Sequence, residues 1–253
     1  MAIIHTKESL ISDLEKSGIN PRGTLLVHSS CKSVGECTDR GDTIIDAFIE
    51  YMRDGLLIFP THTWDVIPVK ETVYDPENMP SCVGILTNLF LKRGGVVRSL
   101  HPTHSVAAIG KDAEEFTAGE ELTRSPCSRQ GCYGKLYDRR AQILFLGCDL
   151  SKNTFLHGVE EWNNITDRLT EKPREMYIKT SGGLIPCPMH CHNHSGGDVS
   201  ENYIKAEKIF AAGGAASYCT IGSAQSVLCD AVKMADLISE VFRENPDFFA
   251  HNK

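Results

Sequence analysis

The chain has 253 residues, with 26 lysines and arginines against 33 aspartates and glutamates, and therefore a formal net charge of −7. This acidic balance speaks against nucleic acid as a partner, because binding to a phosphate backbone is driven largely by basic side chains that release counterions. Fractions of 41% hydrophobic and 23% charged residues are those of a globular protein, which excludes disorder, collagen and coiled coil.

The first 150 residues alternate between helical and strand patterns. Apolar residues at helical spacing behind Thr6 predict a helix over 6–17. Apolar runs at 25–27 and 56–59 predict buried strands, and the periodicity of 42–53 predicts a helix between them, which together form a βαβ unit of a parallel sheet. Similar patterns predict helices at 83–92, 112–118 and 131–139 and strands at 105–109 and 143–146.

The last hundred residues have a looser pattern. Residues 176–180 and 184–187, separated by a Ser-Gly-Gly turn, predict an antiparallel hairpin, and 201–212 and 227–242 predict closing helices. The predicted fold class is α/β, with a mostly parallel central sheet, helices on both faces and an α+β C-terminal portion that contains the hairpin. We expect one domain over 1–253, with an α/β core over 1–150 and an α+β part over 151–253 that contains the closing helices and the hairpin.

The compartment follows from the N-terminus and the cysteines. No basic stretch followed by an apolar one precedes the first helix, and no apolar run approaches the roughly 18 residues of a membrane span. The ten cysteines are then expected as free thiols in a reducing cytosol. The prediction is a cytoplasmic protein without a membrane partner.

The segment 28–35 directly follows the first core strand. Loops at the carboxyl ends of parallel strands are where α/β sheets bind ligands, and hydroxyls, a lysine and a glycine in such a loop can hold a phosphate. A helix that begins near residue 42 can point its N-terminus at the same anion. The alternative is an ordinary polar surface loop, since the pattern matches neither common phosphate-binding motif.

Two histidine segments have different interpretations. Around Pro102, His101 is interpreted as a structural residue of a turn whose imidazole satisfies neighbouring carbonyls. In 153–161, a helix would bring His157 close to Glu160 and Glu161, because residues three and four apart share a face. A histidine beside a carboxylate is a general-base arrangement, whose alternative is a surface histidine among exposed glutamates.

A third histidine segment lies near the end of the chain. If it is extended, His190, His192 and His194 fall on one face at period two, a geometry that can bind zinc. The alternative is a polar strand end, and we expect no obligatory metal. A metal-dependent hydrolase that uses these residues with His157 is kept as a competing hypothesis.

With these segments in order, the sequence resembles the aminoglycoside 3-N-acetyltransferases of the antibiotic acetyltransferase family. The resemblance covers nearly the whole chain in family order. The residues that carry it are LVHSSCKSVG at 26–35, PTHTW at 60–64, YDP at 74–76, MPS at 79–81, VRSLHPTHSV at 97–106, SPC at 125–127, YGKL at 133–136, LGC at 146–148, NTFLHGVE at 153–160 and IGSAQS at 221–226.

The resemblance implies an acyltransferase that moves acetyl from acetyl-CoA to the 3-amino group of a 2-deoxystreptamine aminoglycoside, as in antibiotic resistance. It implies that His157 is the catalytic base. From the chemistry of a histidine beside a carboxylate, we expect Glu160 to assist it in a direct attack without an acyl-enzyme. The protein is expected to be a monomer or homodimer with a small amine as its substrate. The resemblance places coenzyme A against His28, Ser29, Ser30, Lys32, Ser33, Val34, Gly35, His104, Ser105 and Val106, and the acceptor against Asp75, Glu160, Glu161 and His192.

The tail departs from the family pattern. Where many relatives carry an Asp-rich stretch, this chain has the histidines of 190–194, which supply no fixed negative charge. The acceptor is then a different or less cationic amine, or a metal lies on the acceptor side. A non-catalytic coenzyme A binding protein is the remaining alternative.

Overall fold

The computed structural model describes residues 3–193, 195 and 197–250. At its centre is a seven-stranded sheet with the order β11-β12-β8-β2-β4-β7-β6. The strands are β1 Ile4–His5, β2 Thr24–Ser29, β3 Glu36–Cys37, β4 Leu56–Pro60, β5 Val73–Tyr74, β6 Val97–Arg98, β7 Val106–Gly110, β8 Gln142–Leu146, β9 Tyr177–Thr180, β10 Gly183–Pro186, β11 Ala216–Ile221 and β12 Ala224–Asp230.

The central sheet is mixed. Its middle strands β8, β2 and β4 are parallel, as the βαβ unit predicts, whereas β4 with β7, β7 with β6, β8 with β12 and β12 with β11 are antiparallel. The prediction of a mostly parallel sheet therefore holds only for the middle of the sheet. The cause is the connections at the edges, since β11 and β12 are joined by a tight turn at Gly222 and Ser223 and such a turn joins only antiparallel strands.

The helices lie close to their predicted positions in the first half of the chain. Thr6 caps the first helix, where its Oγ1 accepts a hydrogen bond from the Ser9 amide at 3.2 Å. The α-helices are α1 Lys7–Lys16, α2 Gly41–Tyr51, α3 Ile85–Phe90, α4 Ala113–Thr117, α5 Cys132–Asp138, α6 Thr154–Trp162, α7 Glu207–Ala212 and α8 Ala231–Glu244, and the 3-10 helices are Cys31–Val34, Glu120–Leu122, Leu150–Lys152 and Val199–Ala206.

Two predictions for the C-terminal part need correction. The helix predicted over 227–242 begins only at Ala231, because Val227–Asp230 pair with β8 as the end of β12. The second correction is the pair of strands β11 and β12, which the sequence does not predict and which extend the central sheet. The predicted hairpin is present as β9 and β10, and β5 adds to it in parallel.

Helices cover both faces of the sheet, as predicted. Along β2, Leu26 packs into one core cluster and its neighbours Leu25 and Val27 into the other, because successive strand residues point to opposite faces. One cluster is completed by α4 to α8, with Phe155 of α6 at its centre, and the other by α1 to α3. All ten cysteines are free thiols. None of the described helices is long and apolar enough to cross a membrane.

Candidate functional site

A cavity of about 820 Å³ lies at the carboxyl ends of the three parallel strands. Ser29 and Ser30 line it from the end of β2, His62 and Trp64 from the chain after β4, and Lys152 from the chain after β8. The carboxyl edge of parallel strands is the expected ligand site of an α/β sheet, and the volume is that of a pocket for small molecules.

His157 lies on α6 and lines this cavity with 12% of its side chain exposed. Its Nδ1 lies 2.7 Å from the hydroxyl oxygen of Tyr203, and that hydroxyl donates to Oε2 of Glu160 at 2.5 Å. A phenol has only one proton to donate, so His157 must be the donor in its bond with Tyr203. Nδ1 therefore carries the proton and Nε2 is the free base.

Glu160 lies behind His157 and is completely buried. Its Oε1 accepts from Nε of Arg168 at 2.6 Å, and its Oε2 lies 3.5 Å from Nδ1 of His157, which confirms the proximity predicted from helical spacing. Burial alone would raise the pKa of Glu160, but hydrogen bonds and charges from His157, Tyr203 and Arg168 together lower it below its usual value. The ionised carboxylate stabilises a positive charge on His157 when the ring takes up a proton.

Tyr203 is a positioning residue in this arrangement, and Tyr203→Phe tests it. We expect kcat to fall about tenfold, since the ring of His157 loses the acceptor that fixes its tautomer. Tyr203 does not line the cavity, so KM for acetyl-CoA should stay within about twofold of the wild-type value. Tyr218→Phe is the matched control, because Tyr218 is exposed and its hydroxyl donates to Glu207. A kcat within about twofold of the wild-type value, or a fall in kcat as large in Tyr218→Phe, would contradict the assignment.

Five imidazoles line the cavity, and four of them lie side by side. The ring of His192 stacks on His157 with centroids 4.1 Å apart and meets His104 edge to face at 4.7 Å, and His104 lies 4.6 Å from His62. Burial lowers the pKa of His62 and His104 far below the usual histidine range, and it lowers the pKa of His28 to about 3. These three rings are therefore neutral at neutral pH.

The segment predicted to hold the cofactor is divided by the structure. His28, Ser29 and Ser30 line the cavity, while Ser33 lies behind them with its Oγ 2.8 Å from Ser30 Oγ and 2.9 Å from the carbonyl of Gly147. Ser33 thus supports the loop without reaching the cavity wall.

The remainder of that segment faces elsewhere. Lys32 and Gly35 line a second, smaller groove together with Cys31, and Val34 is fully buried in the core. The short 3-10 helix over Cys31–Val34 turns these side chains away from the large cavity. The single phosphate loop predicted over 28–35 is therefore not formed as one surface.

Of the second group predicted to contact coenzyme A, only His104 lines the cavity. Ser105 is fully buried and its Oγ donates to the carbonyl of Thr61 at 2.8 Å, and Val106 belongs to the core as the first residue of β7. The sequence interpretation of His101 is confirmed. Its Nδ1 accepts from the amide of His104 at 2.9 Å, so Nε2 donates to the carbonyl of Ser125 at 3.1 Å.

The acidic residues predicted on the acceptor side mostly bind partners within the protein. Asp75 does not line the cavity and forms an ion pair with Lys179 at 2.8 Å. Hydrogen bonds from Lys179 and Asn78 lower the pKa of Asp75 to about 2. Glu161 accepts from the hydroxyl of Ser125 at 2.6 Å and from the amide of Cys127 at 2.9 Å.

These placements predict different effects of two aspartates on acceptor binding. Asp75→Asn should leave KM for the acceptor within about twofold, because its exposed ion pair contributes little. Asp65→Asn should raise that KM about tenfold, since Asp65 lines the cavity and one charged contact is worth about 1.5–3 kcal/mol. Initial rates at saturating acetyl-CoA give both values. If Asp75→Asn raised KM for the acceptor more than Asp65→Asn did, Asp75 would lie on the acceptor side after all.

The three histidines predicted as metal ligands have different surroundings. Nδ1 of His190 lies 2.7 Å from the carbonyl of Thr170, while His192 packs on the ring of His157. His194 lies outside the described residues. Of these two described histidines, only His192 lines the cavity, so the predicted set does not face the cavity together.

Several site residues carry no signal that sequence reasoning used. Tyr203 lies 46 residues after His157, and Arg168 binds Glu160 from a loop after the helix. Trp64 falls inside one of the motifs quoted for the resemblance, but without an assigned role. Asp65 and Asp198, which also line the cavity, follow no recognisable spacing.

The fold and the cavity together define an α/β protein with a ligand cavity at the carboxyl edge of its parallel strands, lined by a histidine that is hydrogen-bonded to a buried tyrosine. The family model "Aminoglycoside 3-N-acetyltransferase" matches residues 26–243, and the chain therefore belongs to this family. The chain is 31% identical to aminoglycoside N(3)-acetyltransferase IV of a Salmonella species over 182 residues. This alignment covers 71% of this chain and 66% of the relative. The YokD protein of Bacillus subtilis is an acetyltransferase-like relative, 28% identical over 61% of this chain and 64% of its own.

Solved structures show the same fold. Aminoglycoside acetyltransferase AAC(3)-IVa in complex with a gentamicin matches with a TM-score of 0.86 and 24% identity, over 100% of this chain and 93% of the other. The AAC-IIIb complex with CoASH matches with a TM-score of 0.83 and 23% identity over 96% and 98% of the two chains. The sequence alignments with the curated relatives span slightly less than two thirds of those relatives' length.

Proposed function

We propose that the protein transfers an acetyl group from acetyl-CoA to an amine of an aminoglycoside. The observation that carries this proposal is the hydrogen-bonded series His157, Tyr203, Glu160 and Arg168, which leaves Nε2 of His157 as a base at a cavity. Membership of the family and the CoASH complex of a structural neighbour support acetyl-CoA as the co-substrate.

The proposed reaction is a direct attack within a ternary complex. The acceptor amine is largely protonated at neutral pH, and it first releases one proton to solvent so that its lone pair can attack the thioester. Nε2 of His157 accepts a proton as the new C–N bond forms, and the tetrahedral intermediate then expels the coenzyme A thiolate, which breaks the C–S bond. The base would supply roughly 10²–10⁴-fold of the rate acceleration.

The state of the cavity thiols supports a mechanism without an acyl-enzyme. Burial raises the pKa of Cys148 to about 12 and also raises the pKa of Cys191, so neither cavity thiol is readily deprotonated. Cys31, a cysteine beside the predicted cofactor loop, lies in the second groove. Because the thiolate is the nucleophilic form, a cysteine intermediate is disfavoured here.

The cavity as a whole has a balanced charge. Asp65 and Asp198 line the cavity together with Lys152 and Arg174, while Glu160 is neutralised by its buried partner. A cavity with both signs of charge attracts a polycation less than an acidic one does. This balance favours, as a second candidate, N-acetylation of a small amine that carries fewer positive charges.

A thiol-release assay with acetyl-CoA tests cofactor and acceptor together. The panel should include several 2-deoxystreptamine aminoglycosides and, as matched acceptors, small amines with one or two amino groups. Release with aminoglycosides supports the proposal, and release with the small amines alone supports the second candidate. If none of the amines on the panel causes thiol release, only a coenzyme A binding protein remains. Chelation of metal ions is expected to leave the rate of acetyl transfer unchanged.

A further inference from the structure

A cluster of three different metal-binding side chains lies behind the wall of the cavity. One donor atom each from Cys127, Glu161 and His192 lies within 4.8 Å of the others. Each donor comes from a separate part of the chain: Cys127 precedes α5, Glu161 is on α6, and His192 follows β10. No donor pair is close in sequence, so spacing gives no indication of this cluster.

The cluster is fixed by its surroundings. The two carboxylate oxygens of Glu161 are oriented by the amide of Cys127 and the hydroxyl of Ser125. Cys127 approaches α6 closely because residue 158 is glycine, where a Cβ would lie 3.3 Å from Cβ of Cys127 and 2.9 Å from the ring of Trp162. The indole of Trp162 also donates to the carbonyl of Cys127 at 2.9 Å. Cys127 and Glu161 are thus held next to each other by a direct hydrogen bond and by contacts with Ser125 and Trp162.

The distances suit a tetrahedral ion. Nε2 of His192 lies 3.6 Å from Oε1 of Glu161. Around zinc, with bonds of about 2.0–2.3 Å, the donors of a tetrahedron are about 3.3–3.8 Å apart. A shift of at most about 1.0–1.5 Å by the sulfur would therefore complete three bonds. The combination of one thiolate, one imidazole and one carboxylate favours zinc over magnesium or calcium, which prefer oxygen ligands alone.

We propose that Cys127, Glu161 and His192 form a zinc site with an open fourth position, distinct from the predicted site of His190, His192 and His194. On binding, the S–H bond of Cys127 breaks, its proton leaves to solvent, and a sulfur–zinc bond forms. The ion would hold the ring of His192, which stacks on His157, and so fix one wall of the cavity. The inference is independent of acetyl transfer.

Cobalt binding tests the proposal, because a thiolate ligand gives a charge-transfer band in the near ultraviolet. Tag-free protein without acetyl-CoA is titrated first with Co²⁺ and then with Zn²⁺, which should displace it at one ion per chain. We expect the band in the wild type and in Cys191→Ser, and its loss in Cys127→Ser. His192→Gln and Glu161→Gln should each weaken zinc binding at least about 100-fold, since even indirect contacts of metal ligands are worth 10–100-fold.

A second measurement separates loss of the site from loss of the fold. Zinc should raise the thermal midpoint of the wild type and of His190→Gln but not that of Cys127→Ser, whose metal-free midpoint should stay close to the wild-type value. A wild type that binds no stoichiometric zinc, or a band that persists in Cys127→Ser, would overturn the proposal. Loss of the cobalt band in Cys191→Ser in place of Cys127→Ser would also overturn the zinc site. None of these results tests the proposed acetyl transfer.

Discussion

His157→Ala is expected to lower kcat for acetyl transfer by about 10²–10⁴-fold, because the variant has no group that can take the proton from the attacking amine. Binding of coenzyme A should change little, since the ring of His157 is held by Tyr203 and Glu160 and not by a phosphate-binding loop. Steady-state thiol release gives kcat, and calorimetric titration with coenzyme A gives the affinity.

Two further results sharpen this test. Imidazole added to the His157→Ala protein should restore part of the activity, because the small base can enter the space that the ring has left. His190→Ala is the matched control: its ring lies against the carbonyl of Thr170 and does not line the cavity, so its kcat should stay near the wild-type value. If His157→Ala retained most of its kcat, another base would have to be found.

The local parts of the fold could be predicted from sequence because local patterns determine them. The run at 25–27 is apolar on both faces of the sheet, and its burial in β2 follows directly. Helical periodicity likewise placed α1 and α2 within about two residues of their observed ends. For the same reason, the proximity of His157 and Glu160 on one helix was predictable.

The two strands of the C-terminal part that the sequence did not predict were missed for a different reason. Ala216–Ile221 is an edge strand with several exposed residues, so it lacks the apolar run that marks a buried strand. Val227–Asp230 directly precedes α8, and its apolar residues continue into the helical pattern without a break. Only the pairing with β8, a tertiary contact, separates the strand from the helix.

The candidate site was predictable to the extent that its contacts are local. Tyr203 bonds to His157 across 46 residues of sequence, and Arg168 bonds to Glu160 across 8. No residue pattern indicates contacts at these separations. Conversely, Lys32 and Asp75 are polar residues in motifs of the resemblance, and the structure directs them to another groove and to Lys179. Residue type identified candidates, and only packing decided which of them reach the cavity.

The stability of the protein is expected to fall steeply as the pH drops from 7.5 to 5, by about 6 kcal/mol. Burial holds the pKa of His28, His62 and His104 far below the value of about 6.5 in an unfolded chain, so the unfolded state takes up protons that the folded state does not. Stability is therefore complete above pH 6.5 and is lost as the pH falls below it. Each imidazole contributes about 2 kcal/mol over this interval, which in sum is a large part of the 5–15 kcal/mol of a typical domain.

His28→Phe provides the discriminating variant. The ring of His28 stacks on Phe145 at 5.2 Å, and its buried Nε2 has no hydrogen-bond partner among the described residues, so a phenyl ring can take its place without leaving a polar group unsatisfied. Urea unfolding at pH 7.5, 6.5, 5.5 and 5.0 should show about one third less loss of stability in the variant than in the wild type. The comparison at pH 7.5, where all three rings are neutral in both states, corrects for any change in packing. Parallel curves for the two proteins would show that His28 does not oppose protonation in the folded state. Glu160 and the other carboxyls with lowered pKa values add their own loss only below about pH 4.5, outside this interval.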